Sequence, residues 1–250
     1  MSEHGKRLLV LGGTTEATAL ASLLAREERF AVILSLAGRT RAPVAPPVPV
    51  RVGGFGGVDG LARFLTEERI DRLIDATHPF AARISANAAE AARRVGVSLL
   101  AIRRPAWVAE PGDRWTEVAD MAAAAEALGE RPRRVFLTIG RQEVAAFAAA
   151  PQHAYVVRSI EPIGDTLPVP RLRTIEARGP FDAEAEAALM REAGIETVVS
   201  KNAGGAATFG KILAARHLGL PVVMVRRPAK PEVPSVPDAA GALAWLRIGE

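Results

Sequence analysis

Five short stretches of this 250-residue chain combine residue types that handle anions or protons. The first is Leu11-Gly12-Gly13-Thr14-Thr15-Glu16-Ala17, which leads from an apolar run into a helical pattern. Two glycines let the backbone turn tightly and approach a ligand, and the N–H groups and dipole at a helix start favour a phosphate. The stretch departs from G-x-G-x-x-G, because Gly12 and Gly13 are adjacent and Ala17 stands where the third glycine would be. The alternative is a plain glycine turn with Thr14 or Thr15 as the helix N-cap. Position in the first strand-to-helix turn favours a nucleotide.

The end of the second strand sharpens this. A fold that binds NAD usually places Asp or Glu there for the ribose 2′-hydroxyl. This chain has Ser35-Leu36-Ala37-Gly38-Arg39-Thr40-Arg41, with no acid and two cations. A dinucleotide bound here is therefore expected to be NADPH, with Ser35, Arg39 and Arg41 as candidates for the 2′-phosphate; a solvated basic loop is the alternative. Asp75-Ala76-Thr77-His78-Pro79-Phe80-Ala81 follows a later strand. Of the four histidines (4, 78, 153 and 217) only His78 lies in such a loop, where it could relay a proton. A helix entry, with Pro79 in its first turn and Thr77 or His78 capping, would explain the same residues. No two histidines have the spacing of metal ligands on a helix, so no metal site is expected.

Two further stretches lie in the second half, each between a strand and a helix: Thr138-Ile139-Gly140-Arg141-Gln142, and Ser200-Lys201-Asn202-Ala203-Gly204-Gly205-Ala206-Ala207-Thr208. Each offers N–H groups plus a cation to a carboxylate. Residues 205–211 also spell G-x-x-x-x-G-K, but Ile212 replaces the Ser or Thr that would hold Mg²⁺. Gly210 and Lys211 are moreover expected inside a helix rather than at its start. ATP or GTP hydrolysis is therefore not expected.

The elements that must position these loops alternate. Strands are expected at 7–11, 30–36, 48–52, 72–75 and 99–103, with helices at 14–26, 58–68 and 80–95. After a pause at 105–113 the pattern resumes, with strands at 115–118, 134–139, 155–160, 172–177, 197–200 and 222–226. Helices are expected at 121–128, 142–149, 182–193, 207–218 and 239–248, and a proline-rich loop at 228–237. Apolar rather than alternating strands, interleaved with helices, indicate parallel sheets covered on both faces. Two α/β units follow, with a boundary near 108: residues 1–108 and 109–250. A terminal strand exchanged between the sheets would escape this reading.

Composition bounds the rest. The apolar fraction is 49%, and the net charge of +4 arises from 32 basic residues, of which 28 are Arg and four are Lys. With no Cys there is no thiolate chemistry or disulfide framework, which suits a cytoplasmic protein. No apolar run approaches the roughly 18 residues of a membrane span, and the polar residues 1–7 do not read as a signal peptide. An aromatic content of 5% with one Tyr gives little stacking surface for nucleic acid, so no nucleic-acid partner is expected. The Arg excess keeps a non-catalytic nucleotide or RNA module open as an alternative, beside a reductase or epimerase of another anionic metabolite.

The ordered motifs LGGTTEA, DATHPFA, LTIGRQ and SKNAGG resemble the precorrin-6A reductase family of cobalamin biosynthesis over nearly the full chain. The resemblance implies two Rossmann-like parallel-sheet domains with the active site in the cleft between them. It implies NADPH-dependent reduction of a ring double bond in a polycarboxylate tetrapyrrole, with precorrin-6A giving precorrin-6B and the cobalt-containing macrocycle as the alternative. By position, Gly12, Gly13, Thr14, Thr15 and Glu16 would cradle NADPH. Ser35, Gly38, Arg39 and Arg41 would lie by its 2′-phosphate, and Thr77, His78 and Pro79 toward the nicotinamide. Arg141, Ser200, Lys201, Asn202, Gly204 and Gly205 would face the macrocycle. A monomer or weak homo-oligomer is expected.

Overall fold

The computed structural model describes residues 5–38 and 46–248. They form two compact units. The first contains β1 (Lys6–Leu11), α1 (Thr15–Leu24), β2 (Phe30–Leu36), β3 (Val50–Val52), α2 (Val58–Glu67), β4 (Arg72–Asp75), α3 (Ala82–Val95) and β5 (Ser98–Ile102). The second contains β6 (Arg114–Val118), α4 (Met121–Glu126), β7 (Arg134–Leu137), a 3-10 helix (Val144–Ala149) and β8 (Ala154–Ser159). It continues with a 3-10 turn (Gly164–Thr166), β9 (Leu172–Glu176), α5 (Ala183–Glu192), β10 (Thr197–Lys201), α6 (Gly210–His217) and β11 (Pro221–Val225). The chain then returns to the first unit with β12 (Ser235–Val236) and α7 (Ala239–Ile248).

Each unit has one six-stranded parallel sheet. The orders are β3-β2-β1-β4-β5-β12 and β9-β8-β7-β10-β11-β6. Both are the 3-2-1-4-5-6 arrangement of a doubly wound fold in their first five strands. The sixth strands are exchanged. β6 directly follows β5 in the chain yet pairs with β11, while β12, the last strand, pairs with β5 through Ser235 opposite Ala101 and Val236 opposite Ile102. Residues 228–250 therefore belong with the first unit, and the units are 1–105 plus 228–250, and 106–227. Chain order alone had placed 109–250 together, because a two-residue strand inside a proline-rich loop gives no periodic signal.

The strands are apolar because both faces are covered. Leu8 and Val10 pack with Leu20 and Leu24 of α1 and with Ala242 and Leu246 of α7. Their neighbours Leu9 and Leu11 point the opposite way, onto Leu61 and Leu65 of α2 and Ala88 and Ala91 of α3. Each such leucine, fully withdrawn from water, contributes about 2–3 kcal/mol. In the second unit Phe136, Val198, Val222 and Met224 pack under Ala187 and Met190 of α5 and Ile212 of α6.

Several helices are shorter at their ends than the periodic reading, and at three of them the difference has a local reason. α3 starts at Ala82 rather than 80, because the Phe80 N–H is taken by the His78 ring at 3.2 Å and the Ala81 N–H by the His78 carbonyl. Ala81, not Thr77 or His78, is its N-cap. Residues 144–149 form a 3-10 helix, which puts the buried Val144 and Phe147, three apart, on one side. α6 starts at Gly210 rather than 207, so Gly210 and Lys211 occupy its first turn, not its interior. A Cβ at Gly210 would collide with the Phe181 carbonyl, and the Ala207 carbonyl accepts the Phe181 N–H at 3.2 Å, a bond outside the helix.

Candidate functional site

In a doubly wound sheet, ligands bind at the carboxyl ends of the strands where the order reverses. The reversal lies between β1 and β4 in the first sheet and between β7 and β10 in the second. The loops that follow these four strands are four of the five stretches whose residues suit anions or protons; the fifth follows β2.

In the first unit the two loops are tied together. Thr14 caps α1, its Oγ1 accepting the Ala17 N–H at 3.1 Å, and the same hydroxyl donates to the Ala76 carbonyl beyond β4 at 2.8 Å. Gly12 packs closely, and a Cβ there would lie 2.7 Å from Leu34 Cδ1, so that side chain would have to shift to admit one. Gly13 has φ 109° and open space where a Cβ would stand, so the backbone before α1 is accessible. Glu16 receives the Arg104 guanidinium on both carboxylate oxygens, at 3.1 and 2.8 Å. Burial pushes its carboxyl up, but Arg104, its own backbone N–H and the Thr15 hydroxyl together hold it below the usual range. Ser35 is buried, and its carbonyl accepts the Gly12 N–H at 2.9 Å. Gly38, in the left-handed region, closes the described part of the loop after β2. Arg39 and Arg41 lie outside the described residues.

The loop after β4 is built around Asp75, which is 1% exposed. One carboxylate oxygen accepts the Thr77 N–H at 3.1 Å and hydroxyl at 2.6 Å, and the other accepts Arg103 at 2.9 Å. Burial raises the Asp75 pKa, but Arg103, Lys230 and the hydroxyls of Ser85 and Thr77 together bring it below the ordinary Asp value. Lys230 donates to Thr77 Oγ1 at 3.2 Å and to the His78 carbonyl at 2.9 Å. Because His78 Nδ1 accepts the Phe80 N–H, the neutral ring carries its proton on Nε2. Pro79 sits in the turn between His78 and α3.

In the second unit Thr138, at the end of β7, bonds the Val199 carbonyl of β10 through both its N–H (3.1 Å) and its hydroxyl (2.9 Å). Gly140, with φ 84°, turns the chain and Arg141 is exposed beyond it. Lys201 pairs with Glu143. Ser200 is fully buried. Asn202 is engaged at both ends by Trp107, accepting its N–H at 2.8 Å and donating to its carbonyl at 2.9 Å. The Trp107 indole N–H bonds the Gly205 carbonyl at 2.9 Å, and Gly204 and Gly205 both have positive φ. Arg227 donates to the carbonyls of Asn202 and Ala203. Among the described residues no group of three or more acidic or histidine side chains could hold a metal ion.

These loops are not a generic dinucleotide fold with unrelated decoration. A family model described as "Precorrin-6x reductase CbiJ/CobK" matches residues 7–247. The chain belongs to the precorrin-6x reductase family. It is 56% identical over 237 residues to the precorrin-6A reductase of Sinorhizobium sp, covering 95% of this chain and 91% of that protein. It is 27% identical over 236 residues to the cobalt-precorrin-6A reductase of Priestia megaterium, covering 88% and 90%. A solved structure described as CobK precorrin-6A reductase superposes with a TM-score of 0.92 at 51% identity, covering 97% of this chain and 96% of that one.

In this precorrin-6x reductase several residues that shape the loops escaped reading by motif. Arg103, Arg104, Trp107, Arg227 and Lys230 all lie outside the four motifs, in the segments entering and leaving the second unit. One signal for some of them was present in the composition. Against 28 Arg there are four Lys, and three of these, Lys201, Lys211 and Lys230, belong to the loops at the carboxyl ends of the sheets or pin their backbone.

Proposed function

We propose that this family member reduces precorrin-6A to precorrin-6B with NADPH as the hydride source. The observation that carries the reading is the coincidence of the four motif loops with the reversal points of the two sheets, in a chain that is an oxidoreductase by family. The first unit fits the cofactor. Gly13 leaves open space at the start of α1, where backbone N–H groups and the helix dipole suit a pyrophosphate, and the described end of β2 carries no acid against a 2′-phosphate. Arg39 and Arg41 supply the cations for that phosphate. When bound, NADPH supplies the hydride; a proton goes to the neighbouring ring carbon, and the C=C bond becomes CH–CH.

The residues of the first unit orient rather than react. Thr14 fixes the two loops to each other, and the Asp75 network holds Thr77, His78 and Pro79 toward the nicotinamide. His78 holds a proton at Nε2 but is not required as the donor, because solvent or a substrate carboxyl serves equally. In the second unit Arg141, Lys201, Gly204 and Gly205 meet the acetate and propionate groups, the cations by charge-assisted bonds and the glycines by backbone approach. Ser200 and Asn202 support them from within.

The metal-free macrocycle is favoured by the higher identity to a protein named precorrin-6A reductase than to one named for the cobalt substrate. The test is turnover of each macrocycle with NADPH and with NADH. The reading requires precorrin-6A with NADPH to be the preferred pair.

A further inference from the structure

Lys211 takes no part in the function proposed above. It lies in the first turn of α6, is 4% exposed, and its ammonium donates to the Thr208 carbonyl at 3.0 Å. The same ammonium faces the Trp107 ring, 5.2 Å from its centroid. Trp107 is in turn bonded to Asn202 and Gly205 and packs on Phe209 with centroids 5.5 Å apart. The side chain thus touches the 200–209 loop twice, once through backbone and once through its aromatic brace.

The surroundings are charged. Arg158, at the end of β8, pairs with Glu186 of α5 and stacks on Phe181 at 3.5 Å. Glu186 Oε2 is buried without a hydrogen-bond partner. Lys201 of β10, paired with Glu143, adds a second like charge. In a chain that uses Arg seven times as often as Lys, the cation placed here is the one that can release its proton.

We propose that Lys211 is a positioning residue for the 200–209 loop, holding Thr208 and Trp107 from beneath more firmly while protonated than as the neutral amine, which keeps only an ordinary hydrogen bond to Thr208 and loses the cation–π attraction to Trp107. Burial, chiefly, with Arg158 and Lys201 adding to it against Glu186, brings its pKa down to about 7. The change in its grip is therefore expected near neutral pH. That the loop meets the macrocycle is taken from the function proposed above; the first readout below does not depend on it.

The experiment follows tryptophan emission of the full chain, without substrate, from about pH 5.5 to about pH 9, spanning the shifted lysine. The native protein is expected to show one transition near pH 7 that is absent from Lys211→Met and from Trp107→Phe. Lys211→Gln is carried in parallel as a second neutral variant. A native protein with no transition, or a neutral variant that retains it, overturns the proposal. In turnover, Lys211→Met is expected to raise the KM for precorrin-6A about tenfold, roughly the value of one charged hydrogen bond, with the KM for NADPH unchanged. It is also expected to remove the rise of that KM between pH 6 and 8. An equal rise in both KM values overturns the proposal. Failure of the native protein to reduce precorrin-6A contradicts the substrate reading alone, and the emission titration still decides the role of Lys211.

Discussion

The Lys230 ammonium donates to the His78 carbonyl at 2.9 Å, so a residue from the loop that follows β11 fixes the loop that follows β4. The contact depends on the strand exchange, because the chain passes Lys230 on its way to β12. Lys230→Met removes the bonds to both His78 and Thr77. The expected result is a loss of about tenfold in kcat/KM, which corresponds to about 1.4 kcal/mol and lies near a single charged hydrogen bond. Lys230→Arg is expected to recover part of it. Steady-state kinetics of the three proteins, at matched thermal stability, check this.

Asp75 anchors the same loop and carries more stability. Asp75→Asn leaves Arg103 half-buried without its partner, and an uncompensated charge of this kind costs about 3–5 kcal/mol. The sign with pH follows from its lowered pKa. A depressed carboxylate stabilises the fold above the unfolded Asp value of about 3.9, and that stability is lost as pH falls through the lower folded value. Denaturant titrations should therefore show the Asp75→Asn deficit in full at neutral pH and shrinking below about pH 4.

Lys211 has the opposite sign. Its lowered pKa means that the unfolded chain binds the proton more tightly between about pH 7 and 10.4, so native stability rises with pH across that window. Lys211→Met should be more stable than the native protein at neutral pH, by an amount on the order of a few kcal/mol, with the pH slope reduced. A residue whose removal stabilises the fold while weakening substrate binding is the pattern of a site kept at some cost to stability.

The cofactor reading rests on the basic end of β2. Arg39→Ala and Arg41→Ala should each raise the KM for NADPH about tenfold, near the value of one charge-assisted bond, and leave that for NADH within twofold. His78→Ala should keep most of the activity. A dead His78→Ala with intact NADPH binding would make the ring the proton donor.

The sheet strands were legible because a run such as Leu8–Leu11 is apolar at every position, as a strand covered on both faces is, and is short and closed by glycines. The four loops were legible because glycines and a proline mark where each strand stops. What stayed hidden was long-range. Nothing local in Ser235-Val236 says strand; it becomes one by finding Ala101 and Ile102 across a gap of more than a hundred residues. Trp107 and Arg227 look like linker residues until their bonds to Asn202 are seen. Around the helix starts at Ala82 and Gly210 the bonding runs to a His78 ring and the Phe181 N–H, neither of which a periodicity can contain.

The most direct measurement is reduction of metal-free precorrin-6A by the purified protein with NADPH deuterated at both C4 positions, followed by mass spectrometry of the tetrapyrrole. The account predicts NADPH consumed one for one and a product heavier by two hydrogens, one of them deuterium from the cofactor. A macrocycle left unchanged while the cobalt-containing form is reduced, or a product without cofactor deuterium, would contradict it.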